Sequence, residues 1–352
     1  MVEGQNTDKE GAEDETEKQL LETLHVGSLS CLHEKLHKVT RRLTQTAISV
    51  ATRMYVKKGF QMKKEFLKKS EKLYGAKPVN LKPSMKENVE SINKWVSDAT
   101  QGKIKNFLST VPTNVVLMLL NAIHFRGVWN TKFDSSKTSP YPFYINHEDT
   151  VTVDMMQAYK YPLSYFMSEK LDSQVARLPF KGNMSFVVVI PNQVAWNMSK
   201  ILENLNKGEL YSRFHKEKPS FVKFPKLCVN FKLELTEALT KLGLGQLFSS
   251  PNLGKITDEP LFVSSVEHQS TLDLNEDGVE AAGTTAIISS RSLLTFTVNR
   301  PFIFILFDDN SGLPLFVGFV RNPKPGSPKK EKGPVVSHEV FSPIDTKSSI
   351  PK

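Results

Sequence analysis

Glu276-Asp277-Gly278-Val279-Glu280-Ala281-Ala282-Gly283-Thr284-Thr285-Ala286 has the composition of no ordinary core segment. Protein interiors are close-packed by bulky apolar groups, and this run offers small side chains and three acids. By itself it reads as a flexible loop. Its surroundings are different. Glu267-His268-Gln269-Ser270-Thr271-Leu272 precedes it, and Ile287-Ile288-Ser289-Ser290-Arg291-Ser292 follows. Then come Phe296-Thr297-Val298-Asn299-Arg300-Pro301-Phe302 and Leu315-Phe316-Val317-Gly318-Phe319-Val320-Arg321-Asn322-Pro323. A small-sided exposed stretch set between apolar strands is the feature to be explained.

The 352 residues are 39% hydrophobic and 24% charged, enough for a sizeable core and too apolar for global disorder. No run of about 18 apolar residues exists, so no transmembrane helix and no membrane partner is expected. The first 25 residues hold eight acids against Lys9 and Lys18, without a basic start or apolar stretch, and predict no signal peptide there. With a net charge of +9 overall, the remaining chain carries about +15, which suits an acidic partner. The basic stretch Lys57–Lys72 has no nucleic-acid motif and reads as a solvated face, so no nucleic-acid partner is expected. Two cysteines, Cys31 and Cys228, exclude a disulfide scaffold and a multi-cysteine metal site but leave the redox compartment open.

Residues 1–18 read as an acidic flexible N-terminus, 19–323 as one mixed α+β domain, and 324–352 as a disordered tail rich in Lys, Pro and Ser. Residues 19–110 are expected to be mainly helical, with Trp95, Ile104, Phe107 and Leu108 at helical spacing and Gly102 as a break. Val115–Leu120 and Ser185–Ile190 are continuous apolar runs that suit doubly buried strands. Leu235, Ala238, Leu239 and Leu242 fall at i, i+3, i+4 and i+7 with Gly243 as a stop, which predicts an amphipathic helix. Phe302–Phe307 and Leu313–Val320 predict a hairpin across Asp308-Asp309-Asn310-Ser311-Gly312.

Enzyme signatures are few. His33-Glu34-Lys35-Leu36-His37 fits the HExxH zinc pattern, yet only three positions are fixed and no further ligand motif follows. A solvated helix face is the expectation, with no metal and no cofactor; a zinc metalloprotease is the least favoured alternative. No G-x-S-x-G elbow, P-loop or G-x-G-x-x-G is present, and no catalytic residue is assigned.

The loop, its flanks, Asn121-Ala122-Ile123-His124-Phe125-Arg126-Gly127-Val128-Trp129 and Phe224-Pro225-Lys226-Leu227 together resemble the serpin family in the right order over roughly residues 19–323. The resemblance implies a serpin fold with three β-sheets, surrounding helices and an exposed reactive loop, and a serine protease inhibitor rather than an enzyme. Within the family the chain is most similar to members that inhibit plasmin, through Phe66-Leu67 to Val79, Met155-Met156-Gln157-Ala158, Asn183-Met184-Ser185-Phe186 and Glu267–Leu272. That kinship implies a trypsin-like target, plasmin foremost, a role in fibrinolysis and an extracellular, secreted setting. It also implies that tail lysines, Lys347 and Lys352 in particular, dock to kringle lysine-binding sites. The sequons at Asn183 and Asn197 align with family sequons, so both are expected to carry glycans. Residues 19–40 match the region after the family's first two helices. A domain lacking those helices and one strand, with exposed apolar surface, is therefore implied, and a serpin fold without inhibitory activity is the alternative reading.

In the family's mechanism the hinge, here Gly278, Val279, Glu280, Ala281, Ala282 and Gly283, enters a sheet as a new strand after cleavage. Strand side chains alternate between faces. With the unpaired charge of Glu280 kept outward, Val279, Ala281, Gly283, Thr285 and Ile287 turn inward; all are uncharged and the first four are small. Counted from Glu276, Ser292 holds the family's usual reactive position and Arg291 falls one residue short. A trypsin-like enzyme requires the basic side chain, so Arg291–Ser292 is the expected reactive bond. Asn121 and His268 match the residues that control sheet opening, and Trp129 the residue where the loop first enters.

Overall fold

The computed structural model describes residues 14–25, 32–45, 48–75, 77–193, 198–278 and 293–324. The chain forms two compact units, the described parts of Met1–Phe125 with Asn230–Thr271, and of Arg126–Val229 with Leu272–Lys352.

The first unit is built on a five-stranded sheet. Its strands are β1 (Ile48–Val56), β2 (Val79–Asn80), β3 (Leu117–Arg126), β9 (Leu227–Glu234) and β10 (Val263–Leu274), ordered β2-β1-β3-β10-β9. β1 runs antiparallel to β3, with Thr52 opposite Asn121. It corrects the expectation of a mainly helical stretch. Ile48, Val50, Thr52, Tyr55 and Val56 are β-branched or aromatic and favour a pleated surface. Four helices accompany the sheet, α1 (Asp14–Thr23), α2 (Leu32–Thr44), α3 (Lys64–Tyr74) and α4 (Met85–Ala99).

α4 starts at an N-cap, where Ser84 Oγ accepts from Glu87 N at 3.3 Å. It buries Asn88, Ile92 and Val96 at i, i+4 and i+8. Ile104, Phe107 and Leu108, expected on helical turns, lie beyond it in irregular backbone. They are buried nonetheless, because Asn93 grips the segment from both sides: Leu108 N donates to Asn93 Oδ1 at 2.7 Å and Asn93 Nδ2 donates to Leu108 O at 2.8 Å. The expected helix around Leu235–Leu242 is also interrupted. A short turn, Thr236–Leu239, runs into a wide turn, Thr240–Leu244, where Gly243 takes φ +98° and Leu242 is exposed.

The second unit holds an eight-stranded assembly ordered β11-β8-β5-β6-β7-β12-β13, with β4 also on β5. These strands are β4 (Ser139–Tyr144), β5 (Thr150–Ser168), β6 (Ser173–Phe180), β7 (Met184–Pro191), β8 (Lys218–Pro225), β11 (Leu294–Thr297), β12 (Phe302–Asp308) and β13 (Leu313–Val320). The implied second and third sheets run into one another. The long strand β5 pairs with β8 through Met155–Leu163 and with β6 through Ser164–Ser168. β7 and β12 are buried along their whole length, as their continuous apolar runs predict.

The β12–β13 hairpin forms where expected. Gly312 supplies φ +66° at the turn, and its N–H donates to Asp308 O at 2.8 Å. One face of β13 presents Leu313, Val317 and Phe319 to solvent. No helix among the described residues is long and apolar enough to cross a membrane.

Candidate functional site

β10 ends at Leu274, and the four residues after it are the root of the small-sided loop. They and the end of β10 are fastened to the segment that follows β3. Gly127 N donates to Asp273 O at 3.2 Å, Trp129 N to Asp277 O at 2.9 Å and Phe133 N to Glu276 O at 3.2 Å. Trp129 is fully buried, and its Nε1 donates to Asn275 O at 2.7 Å. Its ring stacks on Phe180 at 4.3 Å and meets Phe133, Phe186 and Phe224 at 5.6–6.2 Å. Such aromatic pairs contribute roughly 0.5–1.5 kcal/mol each beyond area burial. The indole is therefore a fixed post.

Gly278 forms a parallel bridge with Trp129. A Cβ at this position would fall 2.4 Å from Lys132 Cα and 2.6 Å from Lys132 N, so only glycine fits the approach. β10 is flanked by β3 and β9. By pairing with Trp129, just beyond the end of β3, Gly278 starts on the β3 side of β10.

Two carboxylates hold the root. Glu276 Oε1 accepts from Thr138 Oγ1 at 2.6 Å and pairs with Lys226 Nζ at 2.8 Å. Burial alone pushes its carboxyl up, but the hydrogen bonds from Lys226 and Thr138 outweigh it and hold the group below its ordinary value. Asp277 Oδ2 pairs with Arg126 at 2.6 Å and accepts from Asn275 Nδ2 at 3.1 Å. Those two hydrogen bonds lower its carboxyl as well. Sequence reading overlooked Lys226, Thr138 and Arg126 as partners, although Arg126 and Lys226 sit inside the quoted motifs.

Asn121 on β3 and His268 on β10 lie on neighbouring strands and are half-buried. Asn121 Oδ1 is buried with no hydrogen-bond partner among the described residues. Burial lowers the His268 pKa and favours the neutral ring. The side-chain bonds across β3 and β10 come from other residues. His124 Nδ1 and Thr271 Oγ1 share a buried hydrogen bond of 2.9 Å. Ser264 Oγ accepts from Val116 N at 2.9 Å, just ahead of the first residue of β3. His124 stood in the quoted Asn121–Trp129 segment; nothing in the sequence singled out Ser264.

Of the remaining expectations, Val279, Glu280, Ala281, Ala282, Gly283, Arg291, Ser292, Asn197, Lys347 and Lys352 lie outside the described residues, as does Cys31. Cys228 is exposed. Asn183 is exposed at the β6–β7 turn with φ +56°, and its Nδ2 donates to Asn310 Oδ1 at 3.2 Å. The HExxH histidines turn to α3: His37 Nδ1 bonds Leu73 O at 2.6 Å and His33 Nδ1 bonds the Tyr74 hydroxyl. Each of these nitrogens is engaged by the protein itself. The arrangement around Trp129 is built to hold one end of a strand, not to perform acid–base chemistry.

A family model described as serpin (serine protease inhibitor) matches residues 8–323. Alpha-2-antiplasmin of Bos taurus is 48% identical over 323 residues, covering 92% of this chain and 66% of that protein. Alpha-2-antiplasmin of Mus musculus is 48% identical over 318 residues, covering 90% and 65%. The chain thus spans slightly less than two thirds of the length of these relatives. The crystal structure of mouse protein-Z dependent protease inhibitor superposes with a TM-score of 0.79 at 26% identity, covering 89% of this chain and 86% of that one.

Proposed function

The chain belongs to the serpin family, and from that membership we propose that it inhibits trypsin-like serine proteases, plasmin foremost, as a suicide substrate. The observation that carries the reading is the isolated Gly278–Trp129 bridge: the last described residue of the loop root pairs in parallel with the segment that follows β3. The protease serine adds to the carbonyl carbon of Arg291, the Arg291–Ser292 amide breaks, and the Ser292 nitrogen leaves with a proton. Arg291 stays joined to the enzyme as an ester. The freed segment from Gly278 to Arg291 then extends along β10 as a new strand, with Val279, Ala281, Gly283 and Thr285 inward and Glu280 outward. The tethered protease is dragged along the sheet. Losing one oxyanion-hole donor slows deacylation roughly 10²–10³-fold, so displacement of its active site by ångströms arrests turnover.

The similarity to alpha-2-antiplasmin supports a role in fibrinolysis, secretion to an extracellular fluid, glycans on Asn183 and Asn197, and docking of Lys347 and Lys352 to kringle lysine sites. The domain is proposed to span residues 19–323, between an acidic segment and a Lys/Pro/Ser-rich tail. Mixing the protein with plasmin or trypsin tests the core of the reading. An SDS-stable complex is expected; clean cleavage after Arg291 with no complex refutes it.

A further inference from the structure

The irregular segment that follows α4, residues 100–111, lies on one face of the five-stranded sheet. Phe107 and Leu108 are buried there in one cluster with Met118, Leu120 and Ala122 of β3. These three alternate along β3 and so share a face. His124 continues the alternation, and its hydrogen bond with Thr271 puts Thr271 of β10 on that face too. Gln269, two residues before Thr271, follows it, and Gln269 Nε2 donates to Asn230 Oδ1 of β9 at 2.8 Å. Asn230 and Lys232 alternate along β9. Lys232 therefore stands on the face that the segment covers.

Its ammonium takes hold of that segment. Lys232 Nζ donates to Phe107 O and lies 5.5 Å from the Phe107 ring. β10 runs between β3 and β9. Phe107 thus packs with β3 and is held from β9, two strand spacings or roughly 10 Å away. The segment is a strap over β10, and it bridges the seam between β3 and β10. Asn93 ties the next residue, Leu108, to α4 through two hydrogen bonds of 2.7 and 2.8 Å. The strap is fixed at consecutive residues, to the helix by an amide and to the outermost strand by a cation. A hydrogen bond from a charged donor is roughly twice as strong as a neutral one. Lys232 also faces Glu267 of β10. Burial pushes the Glu267 carboxyl up, Lys232 opposes that, and Glu234 on β9 adds to it.

We infer that Lys232 is a positioning residue for strand entry: by holding Phe107 O it latches the strap across the seam and slows the separation of β3 and β10. A strand that enters beside β10 needs the seam open, so the latch sets how fast a severed loop is captured relative to hydrolysis of the acyl-enzyme. That consequence rests on the inhibitor reading; the latch itself is tested without a protease. Uptake of a fluorescent peptide copying residues 278–291 is timed on the full chain. Lys232→Met keeps the aliphatic stem, removes cation and donor, and is expected to speed uptake about ten-fold. Lys232→Arg keeps both and should stay within two-fold of the parent chain. Glu267→Gln, which removes the facing carboxylate and leaves the latch, should also stay within two-fold. Deuterium exchange in Lys232→Met should rise within residues 103–111 and stay unchanged in α1, α2 and α3. Equal uptake by Lys232→Met and the parent chain overturns the latch, as does no uptake by the parent chain. Acceleration by Glu267→Gln to the same extent assigns the effect to charge pairing, and exchange raised in all these helices assigns it to general loosening; either overturns the latch. Covalent complex formation with active trypsin, read separately, decides the inhibitor assignment.

Discussion

Gly278 lies so close to Lys132 that a Cβ on it would fall 2.4 Å from the lysine Cα. The neighbour is backbone, with no flexible side chain to yield. Gly278→Ala must therefore push the loop root off its seat beside Trp129. Overpacking of this kind costs about 1–3 kcal/mol. A thermal midpoint lowered by roughly 2–10 °C is expected, together with faster proteolysis near residue 278. An unshifted midpoint would mean that the root is not held at this contact.

Glu276 makes the root sensitive to pH. Its folded carboxyl sits below the ordinary value despite the opposing effect of burial, because Lys226 and Thr138 bond the ionised form. A depressed carboxyl adds stability that is present above its unfolded pKa, near 4.3, and is lost as pH falls through the folded value. Glu276→Gln keeps a hydrogen-bond acceptor for Thr138 and removes the charge. Its midpoint should lie below that of the parent chain at pH 7, with the gap closing as pH drops below about 4. A gap independent of pH would assign the effect to packing.

Before any strand can enter beside β10, β3 and β10 must separate. The hydrogen bond between His124 and Thr271 bridges them in a buried position. Net hydrogen bonds contribute about 1 kcal/mol. Thr271→Val keeps the shape and removes the bond. Uptake of a synthetic peptide copying residues 278–291 should then be roughly five-fold faster, followed by the rise in thermal midpoint that an added strand brings. Equal uptake rates would show that this bond does not limit opening.

The parts of the fold legible in the sequence are those whose signal is local. β7, β12 and β13 are continuous apolar runs with a turn between the last two. The failures are tertiary. Ile104, Phe107 and Leu108 carry helical spacing, yet their burial is imposed by Asn93, whose amide bonds a residue 15 positions away. β1 buries Ile48, Ala51, Tyr55 and Val56, a spacing of three and four that does not alternate, and it is embedded among helices, so local periodicity masked it. Trp129 and Gly278 stood out through family resemblance. The partners of Glu276 did not, since Thr138 is 138 positions away and no local pattern encodes that pairing.

As the proposed reactive residue, Arg291 is expected to set which enzyme is caught. Arginine is always charged and requires an acidic specificity pocket, and rejection of a mismatched polar partner is far steeper than rejection of a mismatched apolar one. Counted from Glu276, Ser292 takes the family's usual reactive position, so spacing and chemistry point to adjacent residues. The two are separable. Mass spectrometry of the protein cleaved by trypsin should find Ser292 as the new N-terminus, which places the bond at Arg291. Arg291→Met should lower the rate of complex formation with trypsin by at least a hundred-fold and raise it with chymotrypsin, since a flexible apolar side chain suits a hydrophobic slot. Retained rapid trapping of trypsin by the variant would move the reactive bond away from this residue.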